Sequence, residues 1–285
     1  MSVIAQNGAR NSFRFNLRKP AVHPCSHTAG LSALKRNEFR APPPTFNRTL
    51  PQPGLRACAK GARMDAMTTL DSLVEPIRHS PQLPEIVALL QRQIEEEGER
   101  RQRFYEEMTP EQKIEFIDGE VILHSPAQNR HLDATKHALS LLNAYVTVRK
   151  LGSVKSEKCL CVFPRNDYEP DVVFFGEAKT SELKDDTLKF PVPDLVVEVL
   201  SESTEQRDRG VKFEDYAAHG VAEYWILDAE NSCAEQYVLR DNGYELKLKS
   251  TSGKLASEVI EGFETDVEAL FDADANLAAL RSMLD

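Results

Sequence analysis

The chain has 285 residues, 41% apolar and 28% charged, enough for one large domain or two small ones. Its charge is unevenly placed: residues 1–64 hold eleven Lys and Arg against the single acid Glu38, whereas the remaining 221 hold twenty-four against forty-four. No run approaches the roughly 18 apolar residues of a membrane-spanning helix, and five cysteines in so long a chain do not make a disulfide scaffold.

Residues 1–64 also carry seven of the sixteen prolines, a composition that builds no core. Arg-rich and almost free of acid, this leader reads as a transit peptide for an organelle, the other reading being a basic tail that touches nucleic acid. Its removal near Asp65 leaves a strongly acidic body. Residues 65–107 are expected to form a linker and a charged helix over 84–106, where Ile86, Leu89, Leu90 and Ile94 recur at helical spacing before the run turns almost wholly charged. Residues 108–285 remain for the main domain.

That domain opens on two short apolar runs, 114–117 and 120–123, around Asp118-Gly119, the dipeptide of a type I′ hairpin. A helix is expected over 127–149, with Leu132, Leu139, Leu142 and Val146 on its buried stripe. Strands follow at about 153–163, 170–176 and 193–200. Cys159 and Cys161 lie in the first of these and read as small core residues, or less simply as half of a metal site without a second half. A helix over 204–219 is bounded by a capping box, Ser203 with Gln206, and by Gly220. Strands at 222–228, 235–240 and 243–248 close the pattern, with Asn242-Gly243 as a turn. The order describes an α/β domain, a mixed β-sheet flanked by helices with an added N-terminal helix.

Two carboxylates need an explanation. Asp194-Leu195-Val196-Val197-Glu198-Val199-Leu200 reads as a central strand covered on both faces. An ionised Glu198 there must be hydrogen-bonded, paired, protonated or bound to metal. Asp171 begins the preceding strand. If the two strands adjoin, both carboxylates face one pocket, a natural place for Mg²⁺ or Mn²⁺. On the following helix Asp208, Lys212 and Tyr216 share a face. Lys212 either reaches over the end of the Glu198 strand toward an anionic substrate or forms a surface pair with Asp208, worth a few tenths of a kcal/mol.

Residues 193–230 closely resemble the Uma2 family (DUF820) of the PD-(D/E)XK nuclease superfamily. The resemblance rests on Pro193-Asp194, Glu198-Val199-Leu200-Ser201, Ser203-Thr204, Arg207-Asp208, Lys212, Tyr216, Gly220-Val221 and Glu223-Tyr224-Trp225. Upstream, 115–120 (EFIDGE), Ser125-Pro126 with His131, and Glu169-Pro170-Asp171 stand in the same order as the family's earlier blocks. It covers about residues 108–273 and leaves out the leader and the 84–106 helix.

The resemblance implies a restriction-endonuclease-like core and metal-dependent hydrolysis of phosphodiesters. It makes Asp171, Glu198 and Lys212 the catalytic set. Asp171 and Glu198 hold Mg²⁺ or Mn²⁺ with the Val199 carbonyl, and Glu115 adds a ligand directly or through water. Leu200 stands where the superfamily has its lysine, and Lys212 resembles the replacement supplied by the next helix. His131, Asp208 and Tyr216 are supporting residues: His131 reaches the site or caps its helix, Asp208 orients Lys212 or Arg207, and Tyr216, like Trp225, packs its element or stacks a base. Asp194 turns outward or bonds to backbone. The implied partner is nucleic acid, DNA ahead of RNA, with two copies pairing to cut two strands and no membrane. By analogy with relatives in photosynthetic bacteria, the leader points to a chloroplast rather than a mitochondrion. Against this stands the acidic body, since nucleic-acid binding rests on neutralising phosphates. The other readings are a non-catalytic interaction module on a degraded nuclease fold and hydrolysis of a different phosphoester at the same site.

Overall fold

The computed structural model describes residues 70–109, 111–241 and 243–284. The leader with Cys25 and Cys58, the residues up to 69, and Asn242 of the expected turn lie outside them.

In chain order the elements are α1 (Leu70–Arg78), α2 (Leu83–Glu107), β1 (Ile114–Ile117), β2 (Glu120–Leu123), α3 (Asn129–Arg149), β3 (Gly152–Ser156) and β4 (Leu160–Val162). They continue with β5 (Asp167–Tyr168), β6 (Val172–Gly176), α4 (Glu177–Thr180), β7 (Lys189–Phe190), β8 (Leu195–Val199), α5 (Glu205–Asp208), α6 (Val211–Ala218) and β9 (Glu223–Asp228). The chain ends with β10 (Cys233–Arg240), β11 (Gly243–Ser250), β12 (Lys254–Ala256), β13 (Glu264–Asp266), a 3-10 turn at Val267–Leu270 and α7 (Ala273–Leu284). Among the described residues no helix is long and apolar enough to cross a membrane.

The result is mixed α/β, with two main sheets where the sequence suggested one. The larger has the order β11-β10-β9-β8-β6-β3 and the smaller β2-β1-β5-β4-β7, with β12 and β13 paired apart. β8 runs parallel to β9 and antiparallel to β6. The single strand expected over 153–163 is split between the sheets, because Glu157 and Lys158 take positive φ (44° and 46°) and turn the chain. Neither residue type announces a left-handed turn.

Alternation along β8 sorts its side chains into two cores. Leu195, Val197 and Val199, with Val172, Phe174, Trp225 and Leu227, pack under α3 residues Leu141, Leu142 and Tyr145. Val196, with Val173, Phe175, Tyr224 and Ile226, faces Cys161 and Tyr168 of the smaller sheet, Phe163 just after β4, and Tyr216 of α6. Asp171 and Glu198 therefore fall on the second face, between the sheets. Along α3 the buried stripe runs through Ala134, Ala138, Leu141, Leu142, Tyr145 and Val146, while Leu132, expected inside, is 47% exposed.

The hairpin is as expected: Asp118 and Gly119 have φ of 50° and 84°, the left-handed pair of a type I′ turn. α2 lies over it. Arg100 Nε donates to the Gly119 carbonyl at 2.9 Å, and a Cβ on Gly119 would stand 2.8 Å from that guanidinium. Arg101 forks onto Asp167 and the Phe163 carbonyl, and Phe104 is buried against Phe116. By contrast, none of residues 83–96 is buried, and Leu89 and Ile94 are exposed.

The helix expected over 204–219 is broken into α5 and α6 at Gly210, where a Cβ would meet the Gln206 carbonyl at 2.7 Å. Thr204 rather than Ser203 precedes the first turn, and it makes no side-chain cap, so the capping box does not form. The break sets α6 across the end of β8.

Candidate functional site

The site is built where β6 and β8 meet. Val172 pairs with Val197, so Asp171 and Glu198 stand across from each other at the next step of the ladder. The Val199 N–H donates to Asp171 Oδ2 at 2.9 Å and ties the two strand ends together. On Asp171 Oδ1, Lys113 donates at 2.9 Å and His131 Nε2 stands at 3.4 Å. Burial opposes ionisation of Asp171, but His131 and Lys113 hold its carboxyl well below the usual range. Both partners are shifted upward in return, against the burial that opposes their charge.

Glu198 is served from α6. Lys212 Nζ and the Tyr216 hydroxyl both donate to its Oε1, at 2.9 and 3.0 Å. Lys212 lies 3.0 Å from Glu115 Oε1 and 3.4 Å from Asp208 Oδ1, so one ammonium sits among three carboxylates. Burial, with Asp208, Asp171 and Glu115 nearby, pushes Glu198 up to about 8 in spite of Lys212. Asp208 is also raised by burial, in spite of the Lys212 ammonium beside its Oδ1. Lys212 itself is raised well above the ordinary lysine value: burial opposes its charge, and Glu115, Glu198 and Asp208 outweigh it.

Glu115 lies behind Lys212, on the side of the smaller sheet. It is fully buried; Oε1 accepts from the Glu169 N–H as well as facing Lys212, and Oε2 meets His124 Nε2 at 2.9 Å. Burial opposes its charge, but Lys212 and His124 bring its pKa down to about 2. Through Oε1 it holds Lys212 against Glu198. Lys212 departs from expectation. Its side chain is 2% exposed and enclosed by the carboxylates, rather than reaching out over the strand end.

The remaining candidates fall into place around these. His131 is at the site, on Asp171. Tyr216 is fully buried and Trp225 donates to Glu223, so neither ring is available to stack on a base. Asp194 bonds to backbone, accepting from the Gly176 N–H, and pairs with Lys179. Cys159 and Cys161 are buried thiols, Cys161 donating to the Cys159 carbonyl. The sequence reading missed Lys113, His124 and Glu169. Lys113 and His124 flank the hairpin strands without any motif. Glu169 accepts from the Ile114 N–H, and burial pushes its carboxyl up to about 7.

Among the described residues no three His, Cys, Asp or Glu side chains form a ready metal cluster. The donor set at the strand ends is nevertheless all oxygen. Four buried carboxylates, Glu115, Asp171, Glu198 and Asp208, stand against two ammonium groups, Lys113 and Lys212. Hard oxygen donors are what a divalent cation such as Mg²⁺ or Mn²⁺ takes, and Asp171 and Glu198 are the two whose carboxylates could hold one. His131, which stands on Asp171, also lines a cavity of about 340 Å³ together with, among others, Arg130, Ser201, Glu205, Asp228 and Glu230.

Comparison with known proteins agrees with this architecture. A family model, Uma2, described as "Putative restriction endonuclease", matches residues 101–268. The chain is similar to the crystal structure of a "putative nuclease belonging to DUF820" from Anabaena variabilis ATCC 29413, with 18% identity and a TM-score of 0.52, covering 62% of this chain and 96% of that one. At that identity the likeness speaks for the fold. No curated protein matches.

Proposed function

Because the chain belongs to the Uma2 family, we propose that it is a metal-dependent nuclease that hydrolyses phosphodiester bonds of nucleic acid, DNA ahead of RNA. The observation that carries this reading is the meeting of Asp171 and Glu198 at adjoining strand ends, joined by the Val199 N–H. Two hard-oxygen side chains in such a place are what Mg²⁺ or Mn²⁺ requires. A cation bound by Asp171 and Glu198 supplies Lewis acidity, lowering the pKa of a bound water and polarising the scissile phosphate.

The chain's own residues do the positioning. Tyr216 and Lys212 fix Glu198 Oε1, and Glu115 with Asp208 fixes Lys212 in turn. His124 and the Glu169 N–H hold Glu115. This outer layer keeps Glu198 aimed, as ligand-orienting contacts generally do, and the Val199 N–H, Lys113 and His131 hold Asp171. The acidic body repels polyanions, so binding is expected to be modest and strongly dependent on salt.

The test uses the full chain stripped of metal, offered single- and double-stranded DNA and RNA with Mg²⁺, Mn²⁺ or EDTA. Cleavage that needs metal and disappears in Glu198→Gln is the expected result. No cleavage of any polymer, together with no calorimetric binding of Mn²⁺, would overturn the reading and favour an interaction module.

A further inference from the structure

We propose that Lys113, rather than Lys212, is the lysine that receives the phosphate of the substrate; this rests on the nuclease reading above. The two ammonium groups differ in what surrounds them. An ammonium has three N–H donors, and those of Lys212 face three carboxylates: Glu198 at 2.9 Å, Glu115 at 3.0 Å and Asp208 at 3.4 Å. Its side chain is 2% exposed. Moving it onto a substrate would strand all three acids in a buried place, which charge burial forbids.

Lys113 is placed differently. Its side chain is 27% exposed and donates to Asp171 Oδ1, the oxygen not taken by the Val199 N–H. His131 approaches the same oxygen and lines the cavity beside it, together with Arg130. Two basic side chains, Lys113 and His131, thus meet on the one Asp171 oxygen that the backbone does not hold.

The backbone of Lys113 is also held on both sides. Its carbonyl accepts from the His124 N–H at 3.0 Å, and the following Ile114 N–H donates to Glu169 Oε2 at 3.0 Å. The root of the side chain is therefore fixed, and the ammonium swings from it on a flexible stem. Before substrate binds it neutralises Asp171, and when a phosphodiester enters it exchanges that carboxylate for a phosphate oxygen. In this arrangement Lys113 is a catalytic residue that touches substrate, and Lys212 a positioning residue that acts through Glu198.

Counting phosphate contacts separates the two, because each one lost lowers the slope of log affinity against log salt by about one. Fluorescence anisotropy of labelled single- and double-stranded oligonucleotides would be followed over a salt series, with Ca²⁺ in place of Mg²⁺ to suppress cleavage. Lys113→Gln is expected to weaken binding and lower the slope by about one, and Lys113→Arg to restore the slope. Lys212→Met, checked for fold by circular dichroism, is expected to keep the slope of the parent. A parent slope in Lys113→Gln, or a lowered one in folded Lys212→Met, overturns the assignment while leaving the nuclease reading intact. Failure of the parent chain to bind any of the polymers overturns both.

Discussion

Lys212 Nζ donates to Glu198 Oε1 across 2.9 Å in a place where neither side chain is more than 4% exposed. The same ammonium faces Glu115, which is held ionised, and removing it leaves that buried charge short of its partner at a cost of about 3–5 kcal/mol. Lys212→Met is therefore expected to lower the unfolding free energy of the full chain by about that much in urea. The double variant with Glu198→Gln should be more stable than the sum of the single effects by roughly 0.5–3 kcal/mol, since the two groups are in contact. Simple additivity would show that the pair does not couple.

Tyr216 tests the positioning layer more gently. Tyr216→Phe keeps the ring in its aromatic cluster with Phe163, Tyr168 and Tyr224 and removes only the hydroxyl that donates to Glu198. Loss of such an outer contact is expected to lower metal affinity or cleavage by about 10–100-fold, with the far-ultraviolet spectrum unchanged. An unaltered Mn²⁺ isotherm and unaltered cleavage would remove Tyr216 from the site.

A pH effect independent of the site is expected at Glu235. Burial works against its charge, but Arg209, Tyr237 and Lys249 bring its pKa down to about 2. Its folded value lies below the unfolded one, so its contribution is fully present above about pH 4.5 and is lost as pH falls toward 2. Allowing for solvent around Arg209, the contribution is on the order of 1 kcal/mol. Urea unfolding at pH 7 and pH 3 should show a smaller loss in Glu235→Gln than in the parent.

Arg101 carries the attachment of α2. It meets both oxygens of the fully buried Asp167, at 2.7 and 2.6 Å, and the Phe163 carbonyl at 2.6 Å. Arg101→Met leaves Asp167 with Tyr105 as its remaining donor among those contacts, and the expected loss is about 3 kcal/mol. Amide exchange should quicken first across residues 97–107. Unchanged protection there would mean that Phe104, the Arg100 bond to Gly119 and the Glu97 pair with Arg165 hold the helix without Arg101.

What the sequence made legible was local in chain. The hairpin followed from Asp118-Gly119, the long helix from the spacing of Ile86, Leu90 and Ile94, and the importance of Glu198 from its isolation in an apolar strand. What it hid was either conformational or distant. Left-handed Glu157 and Lys158 split one expected strand between two sheets, and close packing at Gly210 broke one expected helix. Lys113 lies 58 positions from Asp171 and shares no motif with it, so only the folding of β1 toward β6 brings them together. The enclosure of Lys212 depends on Glu115, a residue of the other sheet, and no pattern around position 212 foretells that.

The pairing of β6 directly with β8 has one more consequence. Residues 177–194, which join the two strands through α4 and β7, make a long excursion away from the ladder and return to it. The separation of Asp171 and Glu198 is set by ladder register and by one amide hydrogen, not by that connection. Its ends are tied down, Asp194 to the Gly176 N–H and Phe190 against Phe175, but the exposed stretch 184–186 between them can be lengthened or exchanged while the acids stay where they are, which makes it the natural place to graft new recognition onto this scaffold.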